Sequence, residues 1–293
     1  MSLAAYSEVR KMVKMSELTT FRIGGPAKIV AAPLDISFVA PLIKAAKNEG
    51  HDILILGGGS NLLVSDGGFL GVAVAMRPNC SKISVHGEKV TAEAGATLSA
   101  VAAAACCAGL SGLEFSAGIP GTVGGGIYMN AGAYGGELAD CLVGAMLLDS
   151  ELCPYEATAA GLEMSYRHSN LMKNGGTVLS ATFFLTPATP ADVSAKMEDF
   201  AKRRTEKQPL TLPSAGSAFK RPLGDYAARL IDEAGLRGFA VGGAAVSEKH
   251  AGFIVNTGNA TSADVKSLME QVSDIVYGKF GVRLEPEIRM VGF

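Results

Sequence analysis

Residues 112–136 constrain the fold more than any other stretch. Nine of these 25 residues are glycine, and Glu114 carries the only charge. A core strand does not tolerate so much glycine, which loses extra backbone entropy on folding and brings no side chain to pack. A flexible linker would not hold Ile119, Pro120, Val123, Ile127, Tyr128 and Met129 among its glycines. Two readings stay open for the segment alone. One is an ordered backbone approached closely by a ligand, with exposed N–H groups forming an anion nest. The other is a cluster of tight turns in a β-rich domain.

A second glycine cluster follows the apolar run Ile53–Leu56, which reads as a buried strand entering Gly57-Gly58-Gly59-Ser60-Asn61. A Rossmann cradle needs G-x-G-x-x-G between a strand and a helix, but Leu62 stands where the third glycine belongs. A P-loop needs G-K-[ST], and the chain has none. A nucleotide bound here would use neither of the common cradles.

Around these loops the pattern alternates. Asp35 is placed to cap a helix over 36–48 that stops at Gly50, and 97–107 reads as an Ala-rich helix ended by Gly109. Helices are also expected over 191–207, 226–234 and 263–279. Strands are expected over 72–76, 89–93, 143–149, 178–185, 239–246 and 253–256, with a closing strand over 283–290. The fold class is therefore α+β. The proline-rich stretch 208–216 reads as a domain boundary.

Bulk properties narrow the function classes. With 293 residues there is room for roughly two domains of ~150 residues. Apolar residues make up 48% and charged residues 18%, which suits a packed core and excludes wholesale disorder. The net charge of −2 supplies no field for a nucleic-acid backbone. The longest apolar run, 100–108, is far short of the ~20 residues of a membrane span, and no secretory signal pattern opens the chain. The five cysteines (Cys80, Cys106, Cys107, Cys141, Cys153) lack metal-site or disulfide spacing, so a reduced, metal-free protein of the cytoplasm is expected. Cys106 and Cys107 read as helix core.

Several segments occur in a telling order: Thr20-Phe-Arg-Ile-Gly-Gly-Pro26, Gly57–Asn61, the 112–136 stretch, Tyr166-Arg167, Gly216-Ser-Ala-Phe-Lys220 and Leu284-Glu-Pro-Glu-Ile-Arg289. Together they resemble the UDP-N-acetylenolpyruvoylglucosamine reductases, the MurB flavoenzymes of peptidoglycan synthesis, from about residue 19 to 289. The resemblance implies an FAD-binding fold of the vanillyl-alcohol-oxidase type in two subdomains, 1–80 (closed by a C-terminal strand over 281–293) and 81–207. A substrate-binding domain over 208–280 completes the three. It also implies reduction of an enolpyruvyl ether on UDP-N-acetylglucosamine to UDP-N-acetylmuramate, with non-covalent FAD and with NADPH as co-substrate.

By the same resemblance, Ser217 is the proton donor, and Arg167 and Glu287 flank the substrate carboxylate. The FAD-binding residues are Arg22, Ile23, Gly57, Gly58, Gly59, Ser60, Asn61, Ser116, Gly118, Ile119, Pro120, Gly121, Gly124, Gly125, Asn130 and Ala133. Tyr134, Arg203, Lys207, Lys220, Arg221 and Arg289 are expected on the substrate. The basic cluster Lys202, Arg203, Arg204 and Lys207 is open between a solvated helix face and a diphosphate clamp. The short connection after 178–185 leaves no room for the tyrosine-bearing substrate loop of the first MurB type, so the chain is similar to the second. Lys220-Arg221-Pro222 also departs from the common Lys-Asn-Pro. No nucleic-acid, membrane or metal partner is implied, and a monomer is expected.

Overall fold

A computed structural model describes residues 2–293; the first residue of the first expected domain lies outside them. The chain divides into two compact units. One comprises the chain up to Arg10, Ile29–Gly58 and Gly71–Arg204, and the other Lys11–Lys28, Gly59–Leu70 and Thr205–Phe293.

In the first unit an antiparallel five-stranded sheet runs in the order Pro154–Thr158, Leu142–Leu148, Thr177–Phe184, Lys89–Glu93, Ile83–His86. Its central strands alternate Val90, Ala92, Ala145, Leu147, Ala181 and Phe183 into the core, as a half-buried antiparallel sheet requires. A second sheet is ordered Ser7–Lys14, Pro26–Pro33, Phe69–Ala75, Ile53–Leu56. Its last pair is parallel, in register Ile53↔Val72 to Leu56↔Ala75. That register fixes where the chain leaves the sheet at Gly57, and Met76 N–H closes on Leu56 O at 2.9 Å.

Asp35 caps the first helical turn through Ser37, and the α-helix runs Val39–Asn48. The Leu98–Cys107 helix is capped by the Thr97 hydroxyl. It turns Leu98, Val101, Ala102 and Ala105 inward, at helical spacing. Cys107 is exposed as a result, so the helix-core expectation fails for it. Burial pushes the Cys80 and Cys141 thiols up to about 12, with nearby carboxylates adding to it, which leaves them unreactive near neutrality.

The glycine segment departs from a plain loop, because Val123–Met129 forms an α-helix despite three consecutive glycines. Each glycine costs about 1 kcal/mol against alanine in a helix, so tertiary packing must supply the stability. Val123 and Gly124 donate N–H to the carbonyls of Ala96 (2.8 Å) and Ala94 (2.9 Å). A Cβ on Gly124 would stand 3.0 Å from the Ala94 Cβ, and one on Gly126 2.7 Å from Leu138 Cδ1. Glycine is what lets this helix lie directly on its neighbours.

The second unit packs the Ala227–Glu233 and Ser262–Phe280 helices around an antiparallel sheet ordered Ser214–Ser217, Phe253–Asn256, Ala244–Val246, Ala240–Val241. The single strand expected over 239–246 is a hairpin, since Gly242 turns the chain at φ +55°. The long helix opens with a Thr261–Asp264 capping box and ends at Gly281 in the left-handed region. The expected closing strand is shorter than its 283–290 pattern: only Arg289–Val291 is strand, paired in parallel with Leu62–Val64. Before it, the segment around Pro286 bonds to the chain just after Ser217 instead. No described helix is long and apolar enough to cross a membrane, and no described cluster of His, Cys, Asp and Glu suits a metal ion.

Candidate active site

In the first unit the two glycine loops meet. A Cβ on Gly57 would fall 2.3 Å from Thr122 Oγ1, and one on Gly58 3.1 Å from Pro120 O. Thr122 is 1% exposed, and its hydroxyl has no hydrogen-bond partner among the described residues. A buried hydroxyl left so costs about 1–3 kcal/mol. The N–H groups of Gly57 and Gly58 donate to no backbone carbonyl among the described residues. Gly125 is exposed, and a Cβ there would find nothing closer than Thr122 Oγ1 at 3.8 Å. Orphan donors beside a glycine with an open face are what a diphosphate-bearing cofactor such as FAD requires, so the residues present fit that group.

Around this seam most of the remaining expected positions hold the loop in shape. Ser116 is fully buried and donates its hydroxyl to Leu113 O at 2.7 Å. Ile119 N–H closes on Ser116 O, and Gly121 N–H on Ile119 O at 2.8 Å. Asn130 is 0% exposed and left-handed at φ +43°. Its amide donates to Ser165 O at 3.1 Å while its Oδ1 accepts from Ala139 N–H at 3.1 Å. Ala133 sits in a short antiparallel pair with Gly136.

Asn130 thereby grips the turn that carries Arg167. Ser165 and His168 pair across that turn, and Arg167 sits at its corner with φ +53°. The Arg167 guanidinium lies 5.2 Å from the Tyr166 ring centroid and reaches Gly132 O at 3.5 Å. This unit thus brings Arg167 to the end of the glycine segment. Tyr134, at φ +54°, stacks on Phe200 with centroids 4.8 Å apart and planes 4° from parallel. Arg203 is paired with Asp199 at 2.7 Å and lies over Phe200, so its charge is already answered on the helix.

The second unit brings together Ser217 and Glu287. Ser217 ends a strand after Gly216, whose φ of +78° bends the chain. Ala218 O accepts Glu287 N–H at 2.9 Å, Phe219 bridges Pro286, and Lys220 N–H reaches Glu285 O at 2.8 Å. Asn61 supports the same segment: its side-chain amide donates to Glu287 O at 3.1 Å, and its main-chain carbonyl accepts Arg289 N–H at 3.0 Å. Ser60 and Gly59 precede it in this unit. Arg22 and Ile23 follow Thr20, whose hydroxyl donates to Ser214 O at 2.7 Å. Among the expected substrate residues, the Lys220 ammonium faces Glu285 at 3.4 Å and Arg221 lies over the Tyr226 ring, while Lys207 and Arg289 are exposed.

Sequence reasoning passed over Thr122 and Phe200, and gave Arg204 no place among the site residues. Thr122 lacks a sequence signal, because a threonine before a helix normally caps it, and this one does not. Arg204 had one: Arg203 has Asp199 four residues before it, whereas Arg204 has Phe200.

Residues 208–291 match the family model of the UDP-N-acetylenolpyruvoylglucosamine reductase C-terminal domain, and residues 27–151 match that of an FAD binding domain. The chain is 48% identical to the UDP-N-acetylenolpyruvoylglucosamine reductase of Agathobacter rectalis over 290 residues, covering 95% of this chain and 92% of that protein. It is 47% identical to that of Caldicellulosiruptor bescii over 280 residues, covering 95% and 89%. The solved structure of MurB from Thermus caldophilus superposes with a TM-score of 0.84 at 32% identity, covering 98% of this chain and all of that one.

Proposed function

The chain belongs to the UDP-N-acetylenolpyruvoylglucosamine reductase family, and on that premise we propose how its residues divide the work of an FAD-dependent reduction. The reaction turns the enolpyruvyl ether of UDP-N-acetylglucosamine into the lactyl ether of UDP-N-acetylmuramate, a step of peptidoglycan synthesis. Bound FAD supplies the hydride, drawn in our reading from NADPH. What remains for the protein is to hold the cofactor, stabilise negative charge on the substrate carboxylate, and deliver one proton.

The cofactor falls to the Gly57–Gly58 and Gly118–Gly125 loops. The Gly57 and Gly58 N–H groups, which donate to no backbone carbonyl among the described residues, and the orphan Thr122 hydroxyl support this, and Gly125 leaves room for a group that no side chain could share. Arg167 is assigned to the substrate carboxylate, where a guanidinium offers two parallel N–H donors. Its left-handed turn and the Asn130 clamp hold the donors before substrate arrives.

Ser217 is assigned as the proton donor and Glu287 as its companion at the carboxylate. The observation that carries this reading is the Glu287 N–H to Ala218 O bond, which joins the segment of Glu287 to the residue that follows Ser217. Serine is a weak acid, so it protonates only an acceptor as basic as an enolate-like carbon, which ties its role to the second half of the reaction. The division into two FAD subdomains and a substrate domain is read as functional, as are a monomeric state and a place in the cytoplasm.

Stopped-flow measurement of the two half-reactions tests the assignment. Ser217→Ala should leave flavin bleaching by NADPH within a few-fold of wild type. Flavin reoxidation by the enolpyruvyl sugar nucleotide should slow by about 10²–10⁴-fold, the usual worth of a general acid. Equal loss in both halves would remove Ser217 from the proton-transfer role.

A further inference from the structure

We propose that Phe200 is a positioning residue for the sugar nucleotide: its ring holds Tyr134, at the tip of the hairpin that ends the glycine segment, in the orientation that meets the substrate. The role rests on the reading of Tyr134 as a substrate residue and adds the group that holds it.

The tip of this hairpin is an unfavourable place for a tyrosine. Gly132–Ala133 and Gly136–Glu137 pair antiparallel, with Ala133 opposite Gly136, so Tyr134 and Gly135 alone make the turn. Both have positive φ, +54° and +87°, the pattern of a type I′ turn, which favours Asn-Gly and penalises a bulky first residue. Such a conformation persists where the surroundings over-determine it. For the Tyr134 ring that surrounding is Phe200, face to face at 4.8 Å between centroids and 4° from parallel. Tyr134 still keeps 38% of its surface exposed, and a Cβ on Gly135 would meet nothing within 4 Å. The ring is thus fixed by one neighbour while retaining surface for a ligand.

Phe200 is itself braced. On the Pro190–Lys207 helix, Val193, Met197 and Phe200 recur at helical spacing; Val193 is buried, and Met197 and Phe200 pack on the core of their unit. Arg203, one turn on, lies 5.9 Å from the Phe200 centroid and is anchored to Asp199 at 2.7 Å. The other end of the hairpin leads to the residue assigned to the substrate carboxylate. The Arg167 guanidinium donates to Gly132 O at 3.5 Å, two residues before Tyr134. A substrate with its carboxylate on Arg167 therefore has this hairpin beside it.

A double-mutant cycle on the holoenzyme tests the role, read as KM and kcat for the enolpyruvyl sugar nucleotide at saturating NADPH. Phe200→Leu removes the ring and keeps apolar bulk. It should raise KM about fivefold and leave kcat within about twofold, the signature of lost binding rather than lost chemistry. Phe200→Tyr keeps a face for stacking and should return KM to within about twofold of wild type. Tyr134→Leu should raise KM about tenfold, and adding Phe200→Leu to it should change KM by less than about twofold, because the Phe200 ring acts only through Tyr134. FAD content should match wild type throughout. If Tyr134→Leu raises KM and Phe200→Leu does not, the proposal falls and the reading of Tyr134 stands. If Tyr134→Leu leaves KM unchanged, that reading fails and takes the proposal with it. If the two effects add in the double variant, or if Phe200→Leu also lowers kcat or FAD content, the ring is structural and the proposal falls. Phe200→Met carries the same expectations should Phe200→Leu not fold, and failure of both to fold marks the ring as structural.

Discussion

Gly59 and Gly125 sit in two segments of similar glycine-rich composition, in contrasting surroundings. Gly59 is buried at φ +61°, and a Cβ there would press 2.1 Å from Leu18 O. Its side chain is excluded by the chain itself. Gly125 is exposed and has nothing closer than 3.8 Å. No described residue crowds a side chain at 125, which suits the cofactor contact proposed for it. Gly124 and Gly126, on either side, belong with Gly59, since their neighbours Ala94 and Leu138 leave no room. A glycine-rich motif is thus a mixture of backbone strain, close packing and ligand access, and the three respond differently to substitution.

Gly59→Ala is the largest test of that contrast. It should destabilise the fold by about 3 kcal/mol, combining a left-handed non-glycine residue with displacement of a backbone carbonyl, as read by denaturant melts of apo-protein. A change below about 1 kcal/mol would show that the loop yields easily. Gly125→Val should do the reverse. Apo stability should stay within about 1 kcal/mol, because valine is no worse than glycine in a helix. FAD affinity should fall on the order of 100-fold, about 2.7 kcal/mol. A variant that still binds FAD normally would place the cofactor elsewhere.

A carboxylate inside the first unit tests whether that unit is held by its own polar contacts. Burial pushes Glu114 up, but the Ser111 hydroxyl at 2.6 Å, the Gly112 N–H at 2.7 Å and Lys196 outweigh it and hold the carboxyl below its ordinary value. A folded pKa below the unfolded one adds stability above the ordinary glutamate range and loses it as pH falls through the folded value. Wild type should therefore lose an advantage of about 2 kcal/mol over Glu114→Gln as pH drops below about 4.5. Parallel melting curves from pH 7 to 3 would contradict that. The smallest effect belongs to Thr122→Val. Removing an orphan hydroxyl without changing shape should raise apo stability by about 1 kcal/mol while weakening FAD binding. A stability loss would mean the hydroxyl has a partner within the protein.

Much of this was legible beforehand. The strands over 53–56 and 89–93, the helices expected over 97–107, 191–207 and 263–279, and the cap at Asp35 follow local rules of period and capping that act within a few residues. The ordered motifs also carried the family. Less legible were elements whose stability comes from elsewhere in the chain. The Val123–Met129 helix runs against its own propensities and stands because Ala94 and Ala96 receive its first N–H groups. A closing strand was expected over 283–290, but Glu287 N–H goes to Ala218 O and only Arg289–Val291 pairs with Leu62–Val64.

The site divides along the same line. By itself the sequence determined which residue types are available to the chemistry, because glycine loops, Arg167, Ser217 and Glu287 are identities and an order along the chain. Tertiary structure decided what each touches: Asn61 and Asn130 brace backbone, Arg203 is neutralised on its helix, and the Thr122 hydroxyl has no hydrogen-bond partner among the described residues. The physical reason is that hydrogen-bond and charge satisfaction is a property of pairs. Whether a polar group is already answered depends on neighbours far away in sequence, and only folding brings those neighbours within reach.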